Sequence, residues 1–378
     1  MNKEILDDNI ITLTRKLRQT LHSIPELSGQ EVKTRQQLQL FLSTHTTVEI
    51  HDFGTWFYAV HRAEFPTETI VFRADHDAIL HPNGQPFHGC GHDGHSAILA
   101  GLVLYLENIP INKTIIYLFQ PSEENGLGAK ECLQLFTLES VDRIYGMHNF
   151  PGFELGEILT RSGTIMCASI GMSISFNRKQ THAATPEQGL NPAYAIANLI
   201  SYLAPLSEFK GYQPLNWESI TFSSMVLATI ISSQMGHVDN FGISPDNGHL
   251  QLTLRAERYP DLKKLIQAIE LKVESLCFAS EISYKISFND EFIETSNDEK
   301  DIEDFLNIMS FSELPVRLLD EPFRPSEDFG QYLVSKPGIF FGLGSGKNTP
   351  PLHDSNYEFP DDLLPLAIQA FSSLAINS

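Results

Sequence analysis

The sequence has little that would tie it to a membrane, to nucleic acid or to a disulfide scaffold. Its longest apolar run, Ala97 to Leu106, is half of the roughly twenty residues that a spanning helix requires. Only four cysteines occur in 378 residues, and Cys90, Cys132, Cys167 and Cys277 are too scattered for a disulfide framework. Basic residues are in short supply. There are 26 Lys and Arg against 47 Asp and Glu, a formal net charge of -21, so the average surface repels phosphate backbones and anionic lipid while attracting small cations. The opening MNKEILDDNI carries charges where a secretion signal needs an apolar stretch, and a cytoplasmic location is the expectation. Repeats and low-complexity tracts are absent. What the chain does have is 42% hydrophobic residues, with aromatics 10% of the whole chain, over a length that predicts two domains at roughly 100–200 residues each.

The eight residues His88–His95, HGCGHDGH, pack three histidines, a cysteine and an aspartate into about two helical turns. Imidazole and thiolate are the preferred ligands of zinc-like cations, and a folded core rarely tolerates so many ionisable groups side by side without one. The cluster reads as half of a metal site.

Hydrophobic patterning places this cluster in an α/β framework. Leu13, Leu17 and Leu21 recur at helical spacing before His22–Glu26, and Pro25 closes that helix. The apolar run Thr69–Phe72 predicts a buried strand leading to Asp75. Thr114–Phe119 predicts another, ending in Gln120-Pro121-Ser122-Glu123-Glu124, and a third around Ile144 and Tyr145 delivers Met147-His148. A helix from about His95 to Leu106 lies between the first two, and strand–helix–strand alternation predicts a sheet with its site at the strand ends. The middle of the chain differs. Alternation over Ala168–Phe176, a helix at Pro192–Leu203, strands at Ile220–Ile231 and His249–Arg255, a helix at Leu262–Leu276 and a strand at Ile282–Phe288 give the order of a ferredoxin-like sandwich. After the polar stretch Ser296–Asp301, helical signals return. The expectation is one small domain, residues 169–291, inserted into a discontinuous larger one, residues 1–168 and 292–378.

Besides Cys90 and His92, the ligand candidates at strand ends or loops are Glu124, His148 and His353. Five N, S and O donors exceed what one tetrahedral zinc needs, but suit two metals sharing a thiolate and a water. The adjacent Glu123-Glu124 then divides its work: one carboxylate coordinates, while the other takes a proton from water, and hydrolysis is the implied chemistry. Each element alone has a plainer explanation. Single histidines among the fourteen present are more often surface or core residues, paired glutamates are usually solvated, Asp75 and Asp77 suit caps or turns, and Gly89, Gly91 and Gly94 suit a loop. The His88–His95 cluster does not yield to such readings.

The motifs, in order, resemble a known family, the dinuclear-metal aminoacylase and carboxypeptidase hydrolases. Their closest branch holds hippurate hydrolases, auxin-conjugate hydrolases and N-acetyldiaminopimelate deacetylases. The resemblance is carried by Arg18 with His22–Leu27, Arg73–Ala78, His88–His95, Gln120–Glu124 with Gly128-Ala129, Met147–Asn149 with Pro151-Gly152, Thr181–Ala184 with Pro186, Ser326–Phe329 and Leu352-His353. It implies a mixed sheet flanked by helices, as in zinc exopeptidases, and an inserted lid and dimerisation domain. It implies two divalent cations, zinc by donor type with manganese, cobalt or nickel as alternatives. Cys90 would bridge them, His92 and His148 completing one and Glu124 and His353 the other. Glu123 would be the general base. Asp75 would orient a ligand from behind, and His182 would reach a neighbouring subunit's site to stabilise the oxyanion, making the protein a homodimer through its inserted domain.

The expected activity is metal-dependent cleavage of N-acetyl or aryl-acyl amino acids, with dipeptidase or carboxypeptidase action as the alternative enzyme and a catalytically silent metal-binding paralogue as the non-enzymatic one. Departures from the family pattern fall on specificity. Lys179-Gln180-Thr181 replaces glycines before the lid histidine, and Glu187 stands where histidine is common. Gly242–Asp246 lacks an asparagine expected at the substrate's carboxylate end, though Asn240 is nearby and Arg255 matches the family's arginine. The stretch from His81 to the cluster is short.

Overall fold

Leu17 and Leu21 are buried on one face of a helix, Asp8–His22, whose first turn is capped by Asp7 accepting from the Asn9 N–H at 2.9 Å. The computed structural model describes residues 7–189, 191–236 and 239–378, with only the backbone of residues 279 and 280; the first six residues of the charged N-terminal stretch lie outside the described residues. The chain folds as two units. The first comprises the chain up to Ile165 with Thr295–Pro322 and Glu327–Ser378, and the second comprises Met166–Glu294 with Phe323–Ser326.

The first unit is built on an eight-stranded mixed sheet in the order Glu49–Asp52, Phe57–His61, Thr114–Gln120, Thr69–Asp75, Arg143–Phe150, Gly338–Gly344, Ile158–Thr160, Val316–Leu318. The four strands from Thr114–Gln120 to Gly338–Gly344 are parallel, and the strands flanking them, Phe57–His61 and Ile158–Thr160, run the other way. Parallel strands are covered on both faces, which is why Thr114–Gln120 is buried at every position and reads as an apolar run rather than an alternation. Thr69–Asp75 connects through the helix His92–Leu106 to the neighbour on one side, while Arg143–Phe150 has Gly338–Gly344 on the other. The chain reverses its winding between these two strands, and in such sheets the crevice beyond the carboxyl ends at that point holds the ligand.

The helix His92–Leu106 is buried nearly all round, packed between Asp8–His22 and Leu363–Asn377, so it shows no polar face. It starts at His92, not near His95 as patterning alone suggests. Gly91, at φ 93°, turns the chain into it, and the Gly91 carbonyl accepts from the N–H groups of Gly94 and His95 at 2.9 and 3.1 Å. No side chain fits at 91: a Cβ would lie 2.6 Å from Asn149 Oδ1 and 2.8 Å from Tyr357 Oη. His148 likewise lies inside a strand rather than beyond one, because pairing with Gly338–Gly344 continues through Gly342–His148 to Gly344–Phe150. The helix expected after the polar stretch Ser296–Asp301 begins inside it, at Glu299. Asp298 caps the helix Glu299–Met309 by accepting from the Lys300 N–H at 2.9 Å, and Glu299 and Asp301 suit its first turn.

The second unit has an antiparallel sheet in the order Val226–Met235, Asn247–Ala256, Ala168–Asn177, Ser283–Phe292, with helices Pro192–Leu203 and Tyr259–Ser280. Numbered along the chain that order is 2-3-1-4, the ferredoxin-like arrangement. Ile170, Met172, Ile174 and Phe176 alternate into a core with Leu250, Leu252 and Leu254 from the next strand and Ile196, Leu199, Leu265 and Ile269 from the helices. The expected strand over Ile220–Ile231 is two elements. Ser223 donates its N–H and hydroxyl to Asp261 Oδ2 at 2.7 and 2.6 Å, which breaks the run between Ile220–Phe222 and Val226–Met235.

Phe323–Ser326, assigned by sequence to the larger domain, packs with the second unit. The Cys167 N–H donates to the carbonyls of Phe323 and Pro325 at 3.2 and 3.1 Å, and Arg255 Nη1 donates to Arg324 O and Ser326 Oγ at 3.1 and 2.9 Å. Among the described residues no helix is long and apolar enough to cross a membrane.

Candidate metal centre

The carboxyl ends of the parallel strands bring together residues far apart in sequence. Thr69–Asp75 delivers Asp75 and then His76-Asp77-Ala78, Thr114–Gln120 delivers Pro121 to Glu124, and Arg143–Phe150 carries His148 near its end. Cys90 and His92 come from the loop before and the first turn of the helix His92–Leu106. His353, at φ 66°, follows the strand Gly338–Gly344, and its N–H donates to the Gly89 carbonyl at 2.8 Å, fixing its loop to the cluster.

Two sets of ligand atoms share one sulfur. The donors of Cys90, His92 and His148 lie within 4.8 Å of one another, and so do those of Cys90, Glu124 and His353. Cys90 Sγ is 3.4 Å from His148 Nε2, and Glu124 Oε1 is 3.8 Å from both His92 Nε2 and His353 Nε2. Among the described residues, His92 Nε2 and Glu124 Oε1 are buried without a hydrogen-bond partner. An imidazole nitrogen and a carboxylate oxygen buried face to face without partners are costly unless a cation takes both, so the residues fit divalent metal. A third set, Asp75, His92 and His95, also converges, but the His95 nitrogens already face Asp75 Oδ1 at 2.7 Å and Asn149 Oδ1 at 2.6 Å.

The electrostatics show what the protein part alone enforces. Burial, reinforced by Glu124 and Glu123, pushes the Cys90 thiol well above its ordinary range. Burial opposes a charge on His92, yet Asp75 and Asp77 outweigh it and push the imidazole up to about 10. Burial raises Glu124 to about 7, and burial with Glu327 and Glu124 beside it holds Glu123 well above the usual carboxylate range. A bound cation inverts this balance, favouring thiolate, neutral imidazole and carboxylate together.

The group behind the His92 imidazole is Asp77, whereas the sequence reading offered Asp75 as the carboxylate that orients a ligand. His92 Nδ1 lies 2.9 Å from Asp77 Oδ1, while Asp77 Oδ2 accepts from the Glu124 N–H at 3.0 Å and the Ser28 hydroxyl at 2.7 Å. One aspartate thus holds a candidate ligand from each set. Asp75 approaches the other ring nitrogen, its Oδ2 3.9 Å from His92 Nε2, and shares a strand face with Arg73 two residues back. Its Oδ2 accepts from Arg73 Nη1 at 2.7 Å and its Oδ1 bonds His95. Arg73 is fully buried and also donates to Gln120 Oε1 at 2.8 Å, Glu327 Oε1 at 2.9 Å and Asp328 Oδ1 at 2.8 Å. Glu123, 5% exposed, sits beside this acidic pair, its Oε1 facing the Asp328 N–H at 3.4 Å. His22 braces the helix from outside the centre, its Nδ1 2.7 Å from Asp93 Oδ2, and Arg18, bonded to Asp361 at 2.7 Å, lies 3.7 Å from the same Asp93 oxygen.

The remaining sequence candidates belong to the second unit. His182 is exposed, with Nδ1 accepting from the Ala184 N–H at 2.9 Å and an isolated bridge to Ile243. Arg255 is half-buried and engaged as described above, and Asn240 is exposed.

Sequence reasoning quoted Arg73, Asn149, Glu327 and Asp328 within motifs but gave them no role, read Asp77 only as a cap or turn residue, and did not name Tyr357. A signal existed for Arg73: an arginine within an otherwise apolar strand needs a buried acid, and period two places Asp75 beside it. Asn149 and Tyr357, joined by a 2.5 Å bond across the fold, left none.

Residues 67–377 match the model for Peptidase family M20/M25/M40. The chain is similar to the N-acetyldiaminopimelate deacetylase of Bacillus licheniformis, at 27% identity covering 94% of this chain and 96% of that one, and to that of Bacillus subtilis strain 168, at 28% covering 87% and 89%. Its fold is similar to that of the Bacillus subtilis YXEP protein, described as a dinuclear metal binding peptidase of the M20 family, with TM-score 0.78 and 24% identity over 98% of both chains. It is also similar to that of a putative aminohydrolase from methicillin-resistant Staphylococcus aureus, with TM-score 0.82 and 20% identity over 99% and 98%. The chain belongs to Peptidase family M20/M25/M40 and is a metal-dependent hydrolase of amide bonds.

Proposed function

We propose that this protein removes an acyl group, acetyl in the first instance, from the nitrogen of an amino acid, using two divalent cations and Glu123. The observation that carries the reading is that Cys90 is shared by two groups of convergent donors, Cys90–His92–His148 and Cys90–Glu124–His353, while Glu123 converges with His92 and Glu124 and, on its other side, with Glu327 and Asp328. In it Cys90, His92 and His148 would hold one cation, and Cys90, Glu124 and His353 the other. Sulfur and imidazole donors favour zinc, with manganese, cobalt or nickel as exchangeable alternatives. Acetyl is favoured because relatives similar over nearly the whole chain are N-acetyldiaminopimelate deacetylases.

Bound cations supply Lewis acidity, polarising the scissile carbonyl and acidifying the attacking water. The chain's own residues do the rest. Glu123, held in a site that raises its proton affinity, takes the proton from the attacking water and later hands it to the departing amine. Asp77 keeps the His92 ring and the Glu124 backbone in place through the bonds at 2.9 and 3.0 Å. Exposed His182 suits a donor offered to the site of a second copy in a homodimer built through the second unit, where one preorganised oxyanion donor contributes about 3 kcal/mol. Lys179 and Glu187 near it set substrate preference rather than the chemistry.

The test is Glu123→Ala in zinc-loaded protein assayed against N-acetyl, N-benzoyl and dipeptide substrates. The expected outcome is abolished turnover with metal content unchanged. Near-parental hydrolysis by the variant removes Glu123 from its role. Parental activity confined to dipeptides replaces the deacylase by a dipeptidase, and a metal-loaded parent inert across the panel is a binding protein.

A further inference from the structure

The turn that presents Glu123 and Glu124 is strained, and something outside it must hold it. Ser122 sits at φ 54°, a left-handed conformation that side-chain-bearing L residues avoid. Its carbonyl accepts from the Gly128 N–H at 3.1 Å, a close turn that only glycine permits at 128, where a Cβ would lie 1.7 Å from Pro121 O. Its N–H donates to Glu31 Oε1 at 2.7 Å, with its hydroxyl 3.4 Å from the same oxygen.

Glu31 is an unusual residue to find there. It stands at the N-cap of the helix Val32–His45, yet its side chain makes no capping bond to its own helix and reaches the distant Ser122 instead. It is 6% exposed, and burial next to Asp77 raises its pKa to about 7 even though the backbone N–H groups of Glu31 itself, Ser122 and Gly29 favour its charge. The Asp77 bond to Glu124 N completes a pattern: the N–H groups of 122 and 124 are each pinned by a buried acid from another segment, with Glu123 between them.

We propose that Glu31 is a positioning residue, whose carboxyl oxygen holds the left-handed Ser122 backbone and so sets where Glu123 and Glu124 point. The proposal rests on the reading above, in which Glu123 moves the proton and Glu124 is a metal ligand.

Three variants test it in the full chain. E31A removes the acceptor, E31D keeps the charge but withdraws the oxygen by one methylene, and E31Q keeps an acceptor oxygen at the same reach without the charge. Metal-free proteins are titrated with Zn2+ by calorimetry, and turnover of an N-acetyl amino acid is measured in the loaded proteins. E31A and E31D are expected to weaken the weaker zinc-binding step about 10-fold or more, as loss of a group behind a ligand does, and to lower kcat about 100-fold with KM within about twofold. E31Q should restore both to within about threefold. If E31A does not fold, E31D carries the same comparison. Parental zinc binding and kcat in E31A or E31D overturn the proposal, as does an E31Q protein no better than E31D. A parent chain that binds no Zn2+ brings down the metal reading itself, whereas a parent binding two and a variant binding two alike brings down only the role of Glu31.

Discussion

Arg73→Met is the substitution whose cost the structure fixes most directly. The guanidinium is fully buried and bonds Asp75, Glu327 and Asp328 at 2.7 to 2.9 Å, carboxylates that are themselves 0–1% exposed. Methionine fills much of the volume but leaves those acids without their cation. Breaking a buried pair by removing one partner costs about 3–5 kcal/mol, most of it the penalty of a stranded charge. The loss depends on pH. Asp75 lies well below the ordinary carboxylate range because His92, Arg73 and His95 together outweigh its burial. Without Arg73 its folded-state pKa rises, so folding of the variant takes up protons that folding of the parent does not. The deficit is therefore largest above neutrality and shrinks toward acid, where the neutral acids tolerate burial. Each unit carries one of the two tryptophans, both buried: Trp56 in the first and Trp217 in the second. Urea unfolding of metal-free protein in a W217F background, followed by Trp56 fluorescence, reads the first unit alone. A deficit under about 1 kcal/mol near pH 8, or one that does not change between about pH 5 and 8, refutes the reasoning.

Asp77→Asn leaves the His92 ring and the Glu124 N–H without their shared carboxylate, and zinc affinity should fall about 10- to 100-fold by calorimetry; unchanged affinity assigns that orienting role elsewhere. Gly128→Ala drives a Cβ into the Pro121 carbonyl at 1.7 Å, so the backbone below Glu123 must move. Unfolding free energy should drop by about 2–3 kcal/mol with kcat falling alongside, and a parental thermal midpoint contradicts the turn as described.

The parts legible in the sequence were those written locally. Thr69–Phe72 and Thr114–Phe119 are strands because a parallel sheet buries both their faces, and the alternation of Ala168–Phe176 marks a sheet with one open face. The His88–His95 cluster announced metal because ligand chemistry is a property of residue type. What escaped depends on tertiary proximity. Arg73 and Glu327 are 254 residues apart, and nothing local says they meet. Asp75 and Asp77 are both acids at one strand end, and only the Cα trace decides which stands behind His92. The strain at Ser122 is invisible because its cause, the approach of Gly128 and Glu31, is non-local.

The place of Gly338–Gly344 in the sheet bears on how the protein is made. This strand lies between Arg143–Phe150 and Ile158–Thr160, neighbours that leave the ribosome together and long before it. At roughly 5–20 residues per second, the nascent chain waits on the order of ten seconds or more with a slot in the middle of its largest sheet, during which most of the second unit is complete and free to fold. His353 emerges later still. On the proposed ligand set, a newborn polypeptide owns only part of its cation cage until the segment carrying His353 has emerged, so hydrolytic competence must wait until after the slot in the sheet can be filled.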